Sequence, residues 1–466
     1  MSNTILAIDI GSTKICAIIA EIEDSKVKIQ GHGIAKSQGI KKGAITNIEL
    51  SSKAIKSAIN DAKRIAGSSL TSATVSISNA YAKSLSSTGV VNIPHKDISI
   101  KEISRVMQTA LYNANVPNEY ETIHVLPCNF RVDDQDSIED PFGMNASRME
   151  VDVNIIMTQK SNLSNLKKAV RSAGVEIKGI VLSGYASAIA TIDNDEKELG
   201  VAVIDLGGQT SNLVIHSGNS IRYNSFLGVG SNHITNDLSM ALHTPLQVAE
   251  NVKIHHGNLT ETSSEIIELP IIGDEENKNN VSLEVVHSVI FSRVEEALSI
   301  LSSSLEKSGL KDQVGAGVIL TGGMTKLKGI RELAQSIFPA MPVRIGKPSS
   351  GIEDLFDELK DPSYSTVLGL LLYQAGQHTQ YEINFNQELL HSKDTQNENL
   401  DDIKIKNTIN EVEDIKLAKE QEQKAEKKLR KAALDPNAFS FDDLPDISED
   451  SNNPIKKLTN WAKQLF

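Results

Sequence analysis

The stretch ILAIDIGSTKICAIIA, residues 5–20, decides the fold. Apolar residues run from Ile5 to Ile8, Asp9 interrupts them, a small polar turn carries Gly11, Ser12, Thr13 and Lys14, and a second apolar run starts at Ile15. The pattern predicts two buried strands joined by a tight turn. A carboxylate in such a strand needs a partner, because an unpaired buried charge is costly. The same plan returns in VAVIDLGGQTSNLVIHSG, residues 201–218, with Asp205, Gly207, Gly208, Gln209 and Thr210 in the matching places. Two such hairpins predict two related half-domains facing each other across a cleft.

Alone, one hairpin reads as an aspartate capping its own turn. The pair reads as phosphate binding: glycine turns let backbone N–H groups approach anionic oxygens, Ser12, Thr13 and Thr210 add hydroxyl donors, and Lys14 adds a point charge. Asp9 and Asp205 suit a hydrated Mg²⁺, which favours carboxylate oxygens and keeps much of its water. A third stretch, GVILTGGMTKLKGIRELAQSIF, predicts a strand, a turn at Thr321 to Gly323, and a helix whose N-terminal region faces the ligand. Neither Walker A spacing nor the dinucleotide fingerprint occurs.

The bulk numbers agree with a soluble multidomain chain: 466 residues, 39% hydrophobic, 23% charged and net charge -13, which suggests two to four domains. An acidic body argues against a nucleic-acid partner, since phosphate contacts need clustered Lys and Arg. Cys16 and Cys128 stand far apart in strand-like contexts and predict neither a disulfide framework nor a metal knuckle, as a reducing cytoplasm would allow. No basic lead precedes the first apolar run, so a signal peptide is not expected. No stretch approaches the roughly 20 apolar residues of a membrane span.

Strand and helix patterns alternate to about residue 378. In SSKAIKSAINDAKRIAG, Ile55, Ile59, Ala62 and Ala66 share a helix face. Residues 84–162 form a separate block with their own strands and helix, which predicts an inserted subdomain. Residues 379–453 are rich in Asn, Gln, Glu, Lys and Asp and read as a flexible linker. Within it EVEDIKLAKEQEQKAEKKLRKAAL reads as a transient solvated helix or a coiled-coil arm. The acidic DPNAFSFDDLPDISED reads as a spacer or a docking motif.

The last residues, PIKKLTNWAKQLF, are amphipathic at about 100° per residue. Ile455, Leu458, Trp461, Ala462, Leu465 and Phe466 fall in one arc, with Lys456, Lys457 and Lys463 in the other. Such a helix suits an anionic membrane surface. A groove on another protein, or on the chain's own body, is the rival partner. A linker of 75 residues gives a typical reach of about 50 Å.

Taken together, these motifs resemble the actin, Hsp70 and sugar-kinase superfamily, and more closely the FtsA family of bacterial cell-division proteins. The likeness runs through GHGIAKSQGIKKGAITNIE, EDPFGMNASRMEVDV, GSNHITNDLS, AENVKIHHG, GAGVILTGGMTKLKGI and PSYSTVLGLLLY. It implies an α/β actin-like duplicated fold, with residues 1–83 and 163–195 as the first half and 84–162 as the inserted SHS2-like subdomain. Residues 196–378 would form the second half, with the linker and a membrane-targeting helix, 454–466, after it. It further implies ATP with Mg²⁺ on the two aspartate hairpins, self-assembly into filaments, and a tether for the tubulin-like FtsZ ring that helps recruit later division proteins. The place implied is the cytoplasmic side of the cell (inner) membrane, peripheral, at the division site.

By the same resemblance Gly322, Gly323 and Met324 line the adenosine site. Glu250 and Lys253 either reach the adenosine or form an ordinary i,i+3 ion pair. Arg293, off the apolar stripe of the helix EVVHSVIFSRVEEALSILSSSLEK, is a solvated arginine or part of the docking surface for the FtsZ tail. Gln209 stands where family members often carry a third glycine, and there it crowds the terminal phosphate or orients a water. ATP binding is therefore better founded than turnover. Three other readings share the fold: a small-molecule kinase, for which no catalytic base is evident, an ATP-driven chaperone, whose substrate-binding β-domain is missing, and a pilus-assembly actin homologue.

Overall fold

The computed structural model describes residues 3–391 apart from 219, 349, 350 and 354. The expectations placed on residues 392–466, including the amphipathic segment from Ile455 to Phe466, lie outside the described residues.

The opening hairpin forms as the sequence predicts. Strands β1 (Asn3–Ile10), β2 (Lys14–Glu23) and β3 (Lys26–Lys36) make an antiparallel meander in which Asp9 pairs with Cys16. A short hairpin comes next, β4 (Ile40–Lys41) and β5 (Ala44–Ile45), and then helix α1 (Ile48–Ala66). Asn47 caps α1 by accepting from Leu50 N–H, and Gly67 ends it in the left-handed region. Its buried Ile55, Ile59 and Ala62 pack on β2 and β3. Close approach is possible because a Cβ on Gly33 would lie 2.1 Å from the Ala58 carbonyl oxygen. Strand β6 (Ser72–Ile77) runs parallel beside β1.

The expected insertion is a four-stranded sheet with a helix on it. Strands β7 (Ala82–Asn92), β8 (Tyr120–Val132), β9 (Gln135–Ile138) and β10 (Arg148–Gln159) take the order β7-β10-β8-β9. Helix α2 (Ile100–Asn113) buries Ile103, Val106, Met107 and Ala110 with Val151, Val153 and Ile155 of the sheet in a core of its own. The chain then returns through α3 (Lys160–Ser172), β11 (Glu176–Leu182), α4 (Ser183–Thr191) and α5 (Asn194–Leu199).

The duplication is visible in topology. Strands β12 (Val201–Leu206), β13 (Ser211–Ser217) and β14 (Ser220–Leu227) repeat the first meander. After them come helices α6 (Ser231–Leu242) and α7 (Leu246–His256), the hairpin β15 (Ile266–Ile271) and β16 (Asp274–Ser282), and the long α8 (Leu283–Lys307). Strand β17 (Val318–Thr321), α9 (Ile330–Ile337) and β18 (Val343–Ile345) complete the second sheet, whose order β14-β13-β12-β17-β18 mirrors β3-β2-β1-β6-β11.

Two boundaries differ from the sequence reading. Strand β19 (Ile352–Glu353) pairs with β3, and helix α10 (Ser365–Gln374) packs on the first sheet, so the stretch assigned to the second half crosses back to the first. Helix α10 is buried at every position from Ser365 to Tyr373 and lies against α4, with a Cβ on Gly369 only 1.8 Å from the Ala186 carbonyl oxygen. The segment read as the start of the linker is also folded. Tyr381 and Ile383 join the core of the insertion, and Ile383 and Val125 exchange backbone hydrogen bonds of 3.0 and 2.9 Å.

Buried Glu382 anchors this strap. Its carboxylate accepts from Tyr373 Oη at 2.8 Å and Tyr185 Oη at 2.9 Å, and pairs with His124 Nδ1 at 2.6 Å. His124 Nε2 accepts from Leu182 N–H, so Nδ1 carries the ring proton. Desolvation, reinforced by the carboxylate, pushes both tyrosine hydroxyls well up. Isolated apolar residues in a polar stretch gave no periodicity from which this could be read.

Candidate functional site

The two aspartate hairpins end at one cleft of about 360 Å³ between the halves. Its walls include Asp9, Gly11, Ser12, Thr13 and Lys14 from one side and Asp205, Gly207, Gly208 and Thr210 from the other. The turns close alike: Gly11 N–H donates to the Lys14 carbonyl at 3.1 Å, and Gly207 N–H to the Thr210 carbonyl at 2.9 Å. Helix α6 starts on the second turn, with Ser231 N–H on the Gly207 carbonyl and Asn232 N–H on the Gly208 carbonyl. A Cβ on Gly208 would lie 1.8 Å from Thr13 Oγ1, so the tips meet.

Both carboxylates accept a hydrogen bond, and burial raises both. Asp9 accepts from Ser76 Oγ at 2.8 Å, and desolvation pushes its carboxyl up to about 6 against that hydrogen bond and the pull of Lys14, with Asp205 adding repulsion. Asp205 accepts from Ser187 Oγ at 2.8 Å, and desolvation raises it too. Burial pushes Lys14 down to about 8. Its ammonium donates to Ser363 Oγ at 2.8 Å and lies 3.2 Å from the centroid of the Tyr364 ring. Asn212 lines the same cleft, and its buried Oδ1 has no hydrogen-bond partner among the described residues.

These features fit a polyphosphate with a hydrated divalent cation. Glycine turns leave room for close approach, lysine and hydroxyl donors line the wall, and two desolvated carboxylates gain by facing a cation. Asn212 Oδ1 offers a further acceptor to a bound water or ligand N–H.

Other predicted positions fall differently. Gly322 and Gly323 line the cleft, but Met324 is buried in the core of the second half. The glycines lead into a single tight turn, Gly323–Lys326, and α9 begins only at Ile330, so Lys326 rather than the start of α9 borders the cleft. Glu250 and Lys253 pair at 2.7 Å on α7, with Lys253 also donating to Thr235 Oγ1, and neither lines the cleft. Gln209 does not line it either: its Oε1 accepts from Lys42 N–H at 2.8 Å. Arg293 grips Asp237 through two nitrogens, at 2.6 and 3.2 Å, beside an open groove with Ser288, Val289, Ser292 and Glu296.

Sequence reasoning missed Ser363, Tyr364, Thr366, Lys326 and Asn212. For Ser363, Tyr364 and Thr366 the available signal was the polar run Ser363-Tyr364-Ser365-Thr366, which leads into the apolar body of α10.

Two mirrored sheets around a cleft, with an aspartate hairpin on each, define an actin-like protein. The fold is shared with a solved type IV pilus biogenesis complex, "PilM-PilN", at TM-score 0.58 and 16% identity, over 80% of this chain and 98% of that one. The chain belongs to the FtsA family of cell division proteins. The model "Cell division protein FtsA" matches residues 202–369, and "SHS2 domain inserted in FTSA" matches residues 79–157. Cell division protein FtsA of Helicobacter pylori strain J99 is 42% identical over 410 residues, 81% of this chain and 83% of the relative. The Pseudomonas aeruginosa relative of the same name is 35% identical over 373 residues, 79% and 88%.

Proposed function

We propose that the cleft binds ATP with Mg²⁺ and that the chain uses this nucleotide to control its assembly at the division site. The twin hairpins carry the reading, because they bring Asp9 and Asp205, both desolvated and raised, to one glycine-walled cleft with Lys14. Lys14, Ser12, Thr13 and Thr210 hold the phosphates. Asp9 and Asp205 would hold the cation, and Gly322 and Gly323 would border the nucleoside. The cation supplies charge neutralisation of the phosphates.

In this reading the chain is an adaptor. It assembles with other copies, takes the FtsZ tail at the groove beside Arg293, recruits later division proteins, and holds them to the cytoplasmic face of the cell membrane through the amphipathic sequence 454–466. Among the described residues no helix is long and apolar enough to cross a membrane. The amphipathic pattern of Ile455, Leu458, Trp461, Leu465 and Phe466 against Lys456, Lys457 and Lys463 supports surface attachment. Many weak helices held in one filament gain avidity.

Vesicle co-sedimentation tests the tether. The intact chain with ATP and Mg²⁺ is expected to pellet with anionic vesicles, and a chain ending before Pro454 is expected to stay in solution. Equal pelleting of both overturns the membrane role.

A further inference from the structure

The short hairpin β4–β5 lies at the mouth of the cleft, and its tip touches both halves. The two turn residues, Lys42 and Gly43, have φ of 46° and 77°, as the tight turns of two-residue hairpins require. Gly39, with φ 69°, pinches the base by accepting at its carbonyl from Thr46 N–H and Asn47 N–H. On the first half, Gly43 N–H donates to Ser12 Oγ at 3.0 Å, inside the phosphate turn itself. On the second half, Lys42 N–H donates to Gln209 Oε1 at 2.8 Å. The Lys42 side chain also lies over the backbone at Gly228, where Lys42 Cδ and Nζ would stand 3.8 Å from an added Cβ.

We infer that Gln209 is a latch: its side-chain carbonyl clasps the β4–β5 hairpin across the cleft and slows the exchange of the ligand held beneath it. The inference rests on the nucleotide reading of the cleft. It also accounts for the residue that breaks the glycine pattern. A third glycine at 209 would leave Lys42 N–H without this partner, and only the Lys42 side chain over Gly228 would still touch the second half. Gln209 is a positioning residue, because it touches the hairpin and not the cleft. Gly208 and Thr13 are in contact at the tips, and in this proposal the ligand leaves when they part. Parting moves Gln209 away from Lys42, so the latch bond breaks whenever the cleft opens.

The test separates the acceptor from the shape of the side chain. Gln209→Met keeps the length and removes the acceptor, and Gln209→Glu keeps an acceptor. In the full-length protein, hydrogen exchange read at single amides without added nucleotide is expected to be about fivefold faster at Lys42 in Gln209→Met, the scale of one hydrogen bond. Gln209→Glu is expected to retain the protection. With a fluorescent ATP analogue and Mg²⁺, stopped-flow release from Gln209→Met is expected to be about fivefold faster than from wild type. Unchanged protection at Lys42 in Gln209→Met overturns the latch, as does unchanged release from a protein that binds the analogue. If wild type binds no analogue, the nucleotide reading fails, and the exchange measurement alone decides whether the hairpin is clasped.

Discussion

Thr13 and Gly208 touch across the cleft: a Cβ at position 208 would stand 1.8 Å from Thr13 Oγ1. The two glycine turns therefore meet at a point where only glycine fits. Gly208→Ala is expected to force the tips apart at a cost of about 1–3 kcal/mol, the scale of overpacking elsewhere. Nucleotide affinity by fluorescence titration should fall about tenfold or more. An unchanged affinity would show that the tips part freely.

Lys14 carries the only full positive charge inside the phosphate turns. Lys14→Ala is expected to weaken ATP about 10- to 100-fold, the range of a hydrogen bond to a charged group. Burial holds its ammonium at about 8. Without nucleotide, its charge should be lost as pH rises through that value, and bound phosphate should hold the proton on. A lysine-directed label read by mass spectrometry checks this, with reactivity at pH 8 expected to drop on adding nucleotide.

Asp9 sets a pH dependence of definite sign. Unfolded, its carboxyl titrates near 3.8, and folded near 6. Between those values the folded chain holds more protons than the unfolded one, so this group's contribution to stability declines as pH rises from 3.8 to about 6. Above that, the ionised carboxylate is a standing cost, and Asp9→Asn should raise the melting temperature of the nucleotide-free protein by about 2–4 °C at pH 7.5. Cation binding competes with the proton, so wild-type affinity for Mg²⁺·ATP should climb between pH 5 and 7, and fall again as free Lys14 loses its proton through about pH 8. Calorimetric melts and titrations across that range check both signs.

Glu382 governs how firmly the strap is held. Glu382→Ala strands the donors of Tyr185, Tyr373 and His124 in the core, and is expected to cost about 3–5 kcal/mol in urea unfolding. A chain ending at 378 should be destabilised in the same way, because it lacks Tyr381 and Ile383 as well.

The duplication was legible because Asp9 and Asp205 sit in strong apolar strands at identical offsets from glycine, and that pattern is local. The insertion was legible for a similar reason, since α2 and β10 carry clear helical and alternating periods. The features that escaped reading depend on contacts between distant segments. Helix α10 is apolar all round, so nothing in its pattern says which half it covers, and only packing against α4 and the first sheet places it there. Met324 sits beside two cleft glycines in sequence, but the turn rotates it into the core. The direction of the Gln209 side chain depends on Lys42, which is 167 residues away.

In the proposed function the cleft holds Mg²⁺·ATP between Asp9 and Asp205. Isothermal titration of the full-length chain with ATP tests it most directly, with Mg²⁺ and with EDTA, in wild type and in a protein carrying both Asp9→Asn and Asp205→Asn. Saturable binding at one site that weakens at least tenfold in EDTA, and loses its Mg²⁺ dependence in the double variant, is the predicted result. Binding that is indifferent to Mg²⁺ in wild type, or no binding at all, would contradict it.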